Sequence, residues 1–320
     1  MGTANRTKHW ENDQVIVVVC PGQGSQTPGF LEPWLAEDVF RDQLEGISSA
    51  VGLDLVAHGT VSDADTIRDT AIAQPLIVAA GLLTLSVLLA DGRAERIGGV
   101  AGHSVGEVTA AAAAGILSNA DAMTLVRERG SAMAEAAALA ATGMSAVIGG
   151  DESELLETLD GLGLQPANFN GAGQIVVAGE LAALERLKTT PPAGARVIPL
   201  QVAGAFHTRY MQPAVERLRR VAAPLATSDP STRIWTNRDG GAVGDGAAFL
   251  DLLIGQVSSP VRWDKTMESF AAAGVTGLIE IAPAGALVGL AKRGLKGVPT
   301  VAVKTPDDLA AAIQLIDGNS

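Results

Sequence analysis

The sequence holds one short run whose residue types and spacing suit covalent chemistry, Gly102-His103-Ser104-Val105-Gly106. It follows an apolar segment that reads as a strand and precedes an Ala-rich segment that reads as a helix. Glycines two before and two after a serine permit a tight strand-to-helix turn. Such a turn lifts the hydroxyl clear of a sheet, at a helix N-terminus whose dipole favours developing negative charge. Ser104 is therefore the candidate nucleophile. The N–H of Val105 is a candidate for half of an oxyanion hole.

A serine nucleophile needs a base, and the chain has four histidines. His9 falls in a polar N-terminal segment. His103 adjoins Ser104, and its side chain is expected to turn away from the elbow. His58 is expected in a polar loop after Leu53–Ala57. His207, in Gly204-Ala205-Phe206-His207-Thr208, sits where the chain returns from a change of pattern, at a junction expected to flank a cleft. His207 is favoured over His58. An ordinary α/β-hydrolase places its histidine near the C-terminus after an acid, but here the chain continues well past His207. That counts against a plain esterase.

The loop Pro21-Gly22-Gln23-Gly24-Ser25-Gln26 follows the first apolar run, so its N–H groups are candidates for the other half of the oxyanion hole. No Gly-Lys-Ser/Thr follows it, so it is a poor phosphate loop. Arg129 is informative in another way. It falls on the apolar stripe Ala122, Leu125, Val126, Met133, Ala137, with Gly130 beside it to allow close packing. An arginine facing a core meets an anion or costs several kcal/mol of desolvation. A structural salt bridge and a bidentate grip on a substrate carboxylate both satisfy that requirement.

The elements that must hold these residues read as α/β. Val15–Cys20 is apolar at every position, as a strand covered on both faces is. A helix over Leu76–Ala90 is expected to begin with Pro75 in its first turn. Arg96–Ala101 reads as a strand, Val105–Leu117 as a helix, and a further helix capped by Asn119 or Asp121 runs to about residue 140. The order then becomes β-α-β-β-α-β, over Met144–Ile148, Glu152–Leu162, Leu164–Phe169, Gln174–Ala178, Leu181–Leu187 and Arg196–Val202, which is the ferredoxin-like signature. The expectation is a polar segment 1–14, a large α/β domain formed by 15–139 and 204–320, and an inserted small subdomain over 140–203.

Composition narrows the function further. Hydrophobic residues make up 47% of 320, enough for a real core, and the formal net charge is −12. That charge argues against a general nucleic-acid binder. A single cysteine, Cys20, excludes a multi-cysteine metal site or an internal disulfide framework and fits a reducing cytosol. No targeting segment is read. The longest apolar stretch is shorter than the about 20 residues of a spanning helix, so a soluble cytoplasmic protein without membrane or nucleic-acid partners is expected.

Together these residues resemble the malonyl-CoA:acyl carrier protein transacylases, an acyltransferase family. Its motifs stand in order: PGQGSQ at 21–26, AQP at 73–75, GHSVGE at 102–107, RERG at 127–130, NFNGAGQIVVAG at 168–179, GAFHTR at 204–209, QVSSPVRW at 256–263 and AKR at 291–293. The resemblance implies a hydrolase-like α/β core, with a mostly parallel sheet and a ferredoxin-like insert. It implies Ser104 as nucleophile, His207 as base, and Gln256 orienting His207 through a carbonyl oxygen. Gln23 and Val105 would supply the oxyanion N–H groups. Arg129 would hold the malonyl carboxylate, with Met133, Phe206 and Asn168 or Asn170 lining the site. The Phe206-His207 pair matches the malonyl type rather than the Tyr-Ala-Ser-His type associated with methylmalonyl.

The implied reaction is ping-pong transfer of malonyl from malonyl-CoA through a malonyl-serine to the phosphopantetheine thiol of an acyl carrier protein. It serves fatty-acid or polyketide synthesis and needs no metal or bound cofactor, coenzyme A thioester being a substrate. A serine thioesterase or esterase and a non-catalytic carrier-binding module are the competing readings. Because such carriers are acidic and this chain is too, docking calls for a local basic patch. Lys292 and Arg293, with Lys296, form one candidate. Arg217, Arg219 and Arg220 form the other.

Overall fold

A computed structural model describes residues 14–318. The polar segment 1–14 therefore lies, Gln14 apart, outside the described residues, and His9 with it. The chain opens with β1 (Ile16–Cys20), α1 (Asp38–Val51), α2 (Leu55–Thr60) and α3 (Thr70–Leu88), then β2 (Gly99–Gly102), α4 (Gly106–Ala113) and α5 (Asn119–Ala137). Next come β3 (Thr142–Gly149), α6 (Glu152–Leu162), β4 (Gln165–Gly171), β5 (Gln174–Glu180), α7 (Leu181–Thr189) and β6 (Ala195–Pro199). The remainder is α8 (Gln212–Ala222), β7 (Ile234–Trp235), β8 (Ala242–Val243), α9 (Gly246–Gly255), β9 (Val261–Arg262), α10 (Trp263–Ala272), β10 (Gly277–Glu280), α11 (Ala286–Gly294), β11 (Thr300–Ala302) and α12 (Leu309–Asp317).

Two sheets result. The larger has the order β11-β10-β1-β2-β7-β8 and is parallel up to its last pair, β7 with β8. β1 is central and buried at every residue, as its unbroken apolar sequence requires. The smaller sheet, β6-β3-β5-β4-β9, is antiparallel except where β4 meets β9. Its fifth strand comes from residues 261–262, in the C-terminal part of the chain.

Two helix starts differ from expectation. α3 begins at Thr70, where the Asp69 carboxylate accepts the Ala71 N–H, so Pro75 lies inside the helix. Proline's ring costs a helix least near its start, and the acidic cap Asp69, ahead of Pro75 in the chain, outweighs it as the initiating signal. α5 is capped by Ser118, whose Oγ accepts the Asp121 N–H at 3.0 Å, in place of Asn119 or Asp121. α3 is also the one described helix long and apolar enough to cross a membrane, and 78% of that window is buried within the fold. α3 and α5 pack closely because Gly130 lacks a side chain: a Cβ there would stand 2.8 Å from the Thr70 carbonyl oxygen.

Candidate active site

β2 ends at Gly102 and α4 begins at Gly106, with Ser104 between them at φ 55°. A left-handed non-glycine residue costs of order 1–3 kcal/mol and persists only where its surroundings hold it. The flanking glycines are required by packing, since neither is itself left-handed. A Cβ on Gly102 would lie 2.0 Å from the Gly106 carbonyl carbon, and one on Gly106 2.1 Å from the Cys20 oxygen.

His207 reaches this elbow from the loop before α8. Its Nε2 lies 2.7 Å from Ser104 Oγ, and its Nδ1 lies 2.9 Å from the backbone oxygen of Gln256. A carbonyl can only accept, so Nδ1 carries the proton and the Nε2 lone pair faces the serine hydroxyl. His207 is itself left-handed, φ 61°, and is pinned by its N–H to the Val257 oxygen. Burial, and then the nearby Arg129 charge, push its pKa down to about 3. The imidazole is therefore neutral, as a base must be.

Arg129 is 1% exposed, yet among the described residues no carboxylate pairs with it directly. Its Nη1 donates to Gln74 Oε1 at 2.5 Å and its Nη2 to Gln256 Oε1 at 2.6 Å, with Ser104 Oγ at 3.4 Å from Nη2. Its Nε has no partner among the described residues. Burial lowers the Arg129 pKa to about 10, against the Glu107 carboxylate that favours the charged form, and burial raises the pKa of Glu107 to about 8.

These groups border a cavity of about 460 Å³ between the two sheets. Gln23, Val105, Met133, Asn168, Asn170 and Phe206 line it together with Ser104, Arg129 and His207. The Gln23 side chain donates to the Arg68 oxygen and to Thr70 Oγ1. Met133 Sδ accepts from Gln74 Nε2. His103, expected to turn away from the elbow, borders the same cavity, because its Nε2 meets Asn170 Oδ1 at 3.0 Å. His58 is on α2 rather than in a loop, bonded to Ser62 Oγ at 3.1 Å and outside the cavity lining.

The two basic candidates part company. Arg217 is engaged by Glu128 at 2.6 Å and Glu135 at 2.7 Å, and Arg219 by Glu216 at 3.1 Å. Lys292 and Arg293 are exposed at the end of α11, and Arg293 borders the cavity, donating to Gln174 Oε1 at 3.3 Å. Three site residues carried no assignment from sequence. Gln74 was visible only as the middle letter of AQP and Glu107 only as the last of GHSVGE. Asn237 stood in no motif.

A nucleophile elbow paired with histidine in an α/β fold marks a serine acyl-transfer enzyme, and the chain belongs to the acyl transferase domain family, whose model matches residues 17–308. Within it the chain is similar to malonyl CoA-acyl carrier protein transacylases. It is 50% identical to that of Mycobacterium bovis over 92% of this chain and 98% of the relative, and 35% identical to that of Escherichia coli K12 over 93% and 98%. The crystal structure of MCAT from Mycobacterium tuberculosis superposes with a TM-score of 0.91 at 49% identity, covering 94% of this chain and all of the other. A type II PKS acyl-carrier protein in complex with its malonyl-transacylase, PlMCAT:AntF, matches at 0.89 and 31%, over 94% and 99%.

Proposed function

We propose that this protein moves a malonyl group from malonyl-CoA to the phosphopantetheine thiol of an acyl carrier protein, through a malonyl ester on Ser104. The observation that carries this reading is Arg129, a buried guanidinium held by two neutral amide oxygens, its Nη2 lying 3.4 Å from the serine hydroxyl and its Nε unpartnered among the described residues. A donor acid with a distal carboxylate supplies the missing charge, and acyl groups without one do not.

His207 takes the Ser104 proton at Nε2 as Oγ attacks the thioester carbonyl. The oxyanion is met by the N–H groups of Val105 and Gln23; as it collapses the C–S bond breaks and the proton on His207 passes to the departing sulfur of coenzyme A, which returns the imidazole to its neutral form. A thiol has a pKa of about 8.5, so it leaves without the strong acid assistance that an amine needs. A histidine oriented by the neutral Gln256 carbonyl is chemically adequate. Docking of the malonyl carboxylate on Arg129 also offsets the charge that depresses His207, so the base gains strength when the correct donor is bound. The carrier thiol then attacks the ester, His207 taking the thiol proton and returning it to Ser104 Oγ as the bond between malonyl and serine breaks. Met133, Phe206, Asn168 and Asn170 shape the acyl site, and Lys292 and Arg293 receive the acidic carrier. No step calls for a metal or a bound cofactor.

The topology supports a hydrolase-like core, 15–139 with 204–320, and a ferredoxin-like subdomain over 140–203, joined at its edge by β9. Intact mass tests the function: malonyl-CoA should add one malonyl group to the chain, and an added holo-carrier should remove it and gain the same mass. Loss of the adduct to water, with no malonyl-carrier formed, would overturn the reading.

A further inference from the structure

Asn237 and Glu107 are each 1% exposed and neither borders the cavity. Asn237 follows β7, the strand next to β2. Its Nδ2 donates to the Gly102 oxygen at 2.6 Å and its Oδ1 accepts the Ser104 N–H at 2.8 Å. One amide thus clasps the backbone on both sides of the turn. The Asn237 N–H in turn donates to Glu107 Oε1 at 2.6 Å, and Glu107 Oε2 accepts from Gln256 Nε2. With a carboxyl on one side and a guanidinium on the other, the Gln256 amide has one favourable orientation: nitrogen to Glu107, oxygen to Arg129.

That orientation has a consequence at the elbow. Gln256 Nε2 also donates to the Ser104 carbonyl at 3.0 Å, which the Glu107 N–H meets at the same distance. A trans peptide carries its C=O and N–H on opposite sides. Drawing the Ser104 oxygen towards Gln256 and Glu107 turns the Val105 N–H the other way, and Val105 borders the cavity. Ser104 N, Ser104 O and the Gly102 oxygen are thereby all held by side-chain amides from distant parts of the chain. The left-handed Ser104 requires such holding, because its conformation is costly by itself.

We propose that Asn237 and Glu107 are positioning residues which hold the Ser104–Val105 peptide, Asn237 directly and Glu107 through Gln256, and so aim the oxyanion-binding N–H. The proposal rests on the acyl-transfer reading above. Glu107 has a second effect, since the same Gln256 amide presents its oxygen to Arg129.

The test is rapid-quench measurement of acyl-enzyme formation from malonyl-CoA and acetyl-CoA by the full chain, wild type against Asn237→Ala, Asn237→Asp and Glu107→Gln. Burst amplitude reports how much enzyme is folded and competent, and the rate constant reports the aim of the site. Losing one oxyanion donor costs about 10²–10³-fold, so misaiming it should lower the rate constant by roughly 10- to 100-fold, with both donors for the Asn237 variants. Glu107→Gln should in addition lower the malonyl-to-acetyl ratio, because Gln256 is freed to turn from Arg129. Rate constants within about threefold of wild type, with only amplitude or Tm reduced, would mean a structural role and overturn the proposal. Should Asn237→Ala not fold, Asn237→Asp carries the same test: it keeps the acceptor for Ser104 N but sets oxygen against the Gly102 oxygen. A wild type that forms no acyl-enzyme overturns the functional reading and this proposal together, whereas an active wild type with unaffected variants overturns this proposal alone.

Discussion

Replacing Arg129 with alanine should separate malonyl from acetyl transfer. A guanidinium has five N–H donors. Gln74 and Gln256 each accept from one of them and Ser104 Oγ lies 3.4 Å from Nη2, so a donor carboxylate would meet the guanidinium on the edge nearest Ser104. A malonyl carboxylate that enters without this partner is left buried and unpaired. Breaking a buried pair costs about 3–5 kcal/mol, and water entering the truncated site favours the lower figure. At 1.36 kcal/mol per decade, about 3 kcal/mol is roughly a 150-fold loss of kcat/KM for malonyl-CoA. Acetyl-CoA carries no second carboxylate, and its transfer should fall by less than about tenfold. A second readout has a defined sign. His207 works when neutral, above its pKa, and Arg129 is the second cause holding that pKa near 3. Removing the charge raises the pKa, so the acid limb of acetyl transfer should move to higher pH in the variant. Rapid-quench rates with both donors across pH give both answers. An equal loss for the two donors, with an unmoved acid limb, would refute the carboxylate grip and leave Arg129 a structural residue.

Ser104→Ala should abolish the malonyl adduct, and an adduct of undiminished yield by intact mass would show another nucleophile at work. His207→Ala should slow acyl-enzyme formation by about 10²–10⁴-fold, the usual contribution of a general base, while His58→Ala should leave the rate constant unchanged. Reversing Lys292 and Arg293 to Glu should raise KM for the carrier several-fold, more at low salt, with a smaller change in the malonyl-CoA burst. Steady-state kinetics at two ionic strengths check this, and an unchanged KM at low salt would remove α11 as the dock.

Much of this site was readable because local rules governed it. The glycines around Ser104 announced the elbow, since their spacing has a steric cause. Arg129 stood out because a charge on an apolar stripe needs an explanation. His207 emerged from a field of four. Other features depend on contacts that no local pattern encodes. Asn237 gains its place only because β7 pairs with β2, far apart in the chain. β8 and β9 are two residues each, too short for any periodicity to register. α1 carries a regular apolar stripe, Phe40, Leu44, Ile47 and Val51, which sequence reading leaves unused, whereas α2 has six residues, too few for a period to register, so His58 reads as loop. Pro75 lies inside α3 because its favoured site at a helix start is only a preference, which the Asp69 cap and tight packing on α5 override.

The pairing of β4 with β9 bears on how this protein can be cut and recombined. Asn168 and Phe169 of β4 lie in register with Val261 and Arg262, and Arg262 stacks its guanidinium over the Phe169 ring at 4.5 Å. The segment 140–203 is consequently not a cassette to be lifted out and exchanged between relatives at its two chain crossings alone. A graft confined to those ends would carry a sheet with an unmated edge and leave behind a strand with nothing to lie against. A chimera designed to trade acyl preference through this segment should carry residues 256–263 with it.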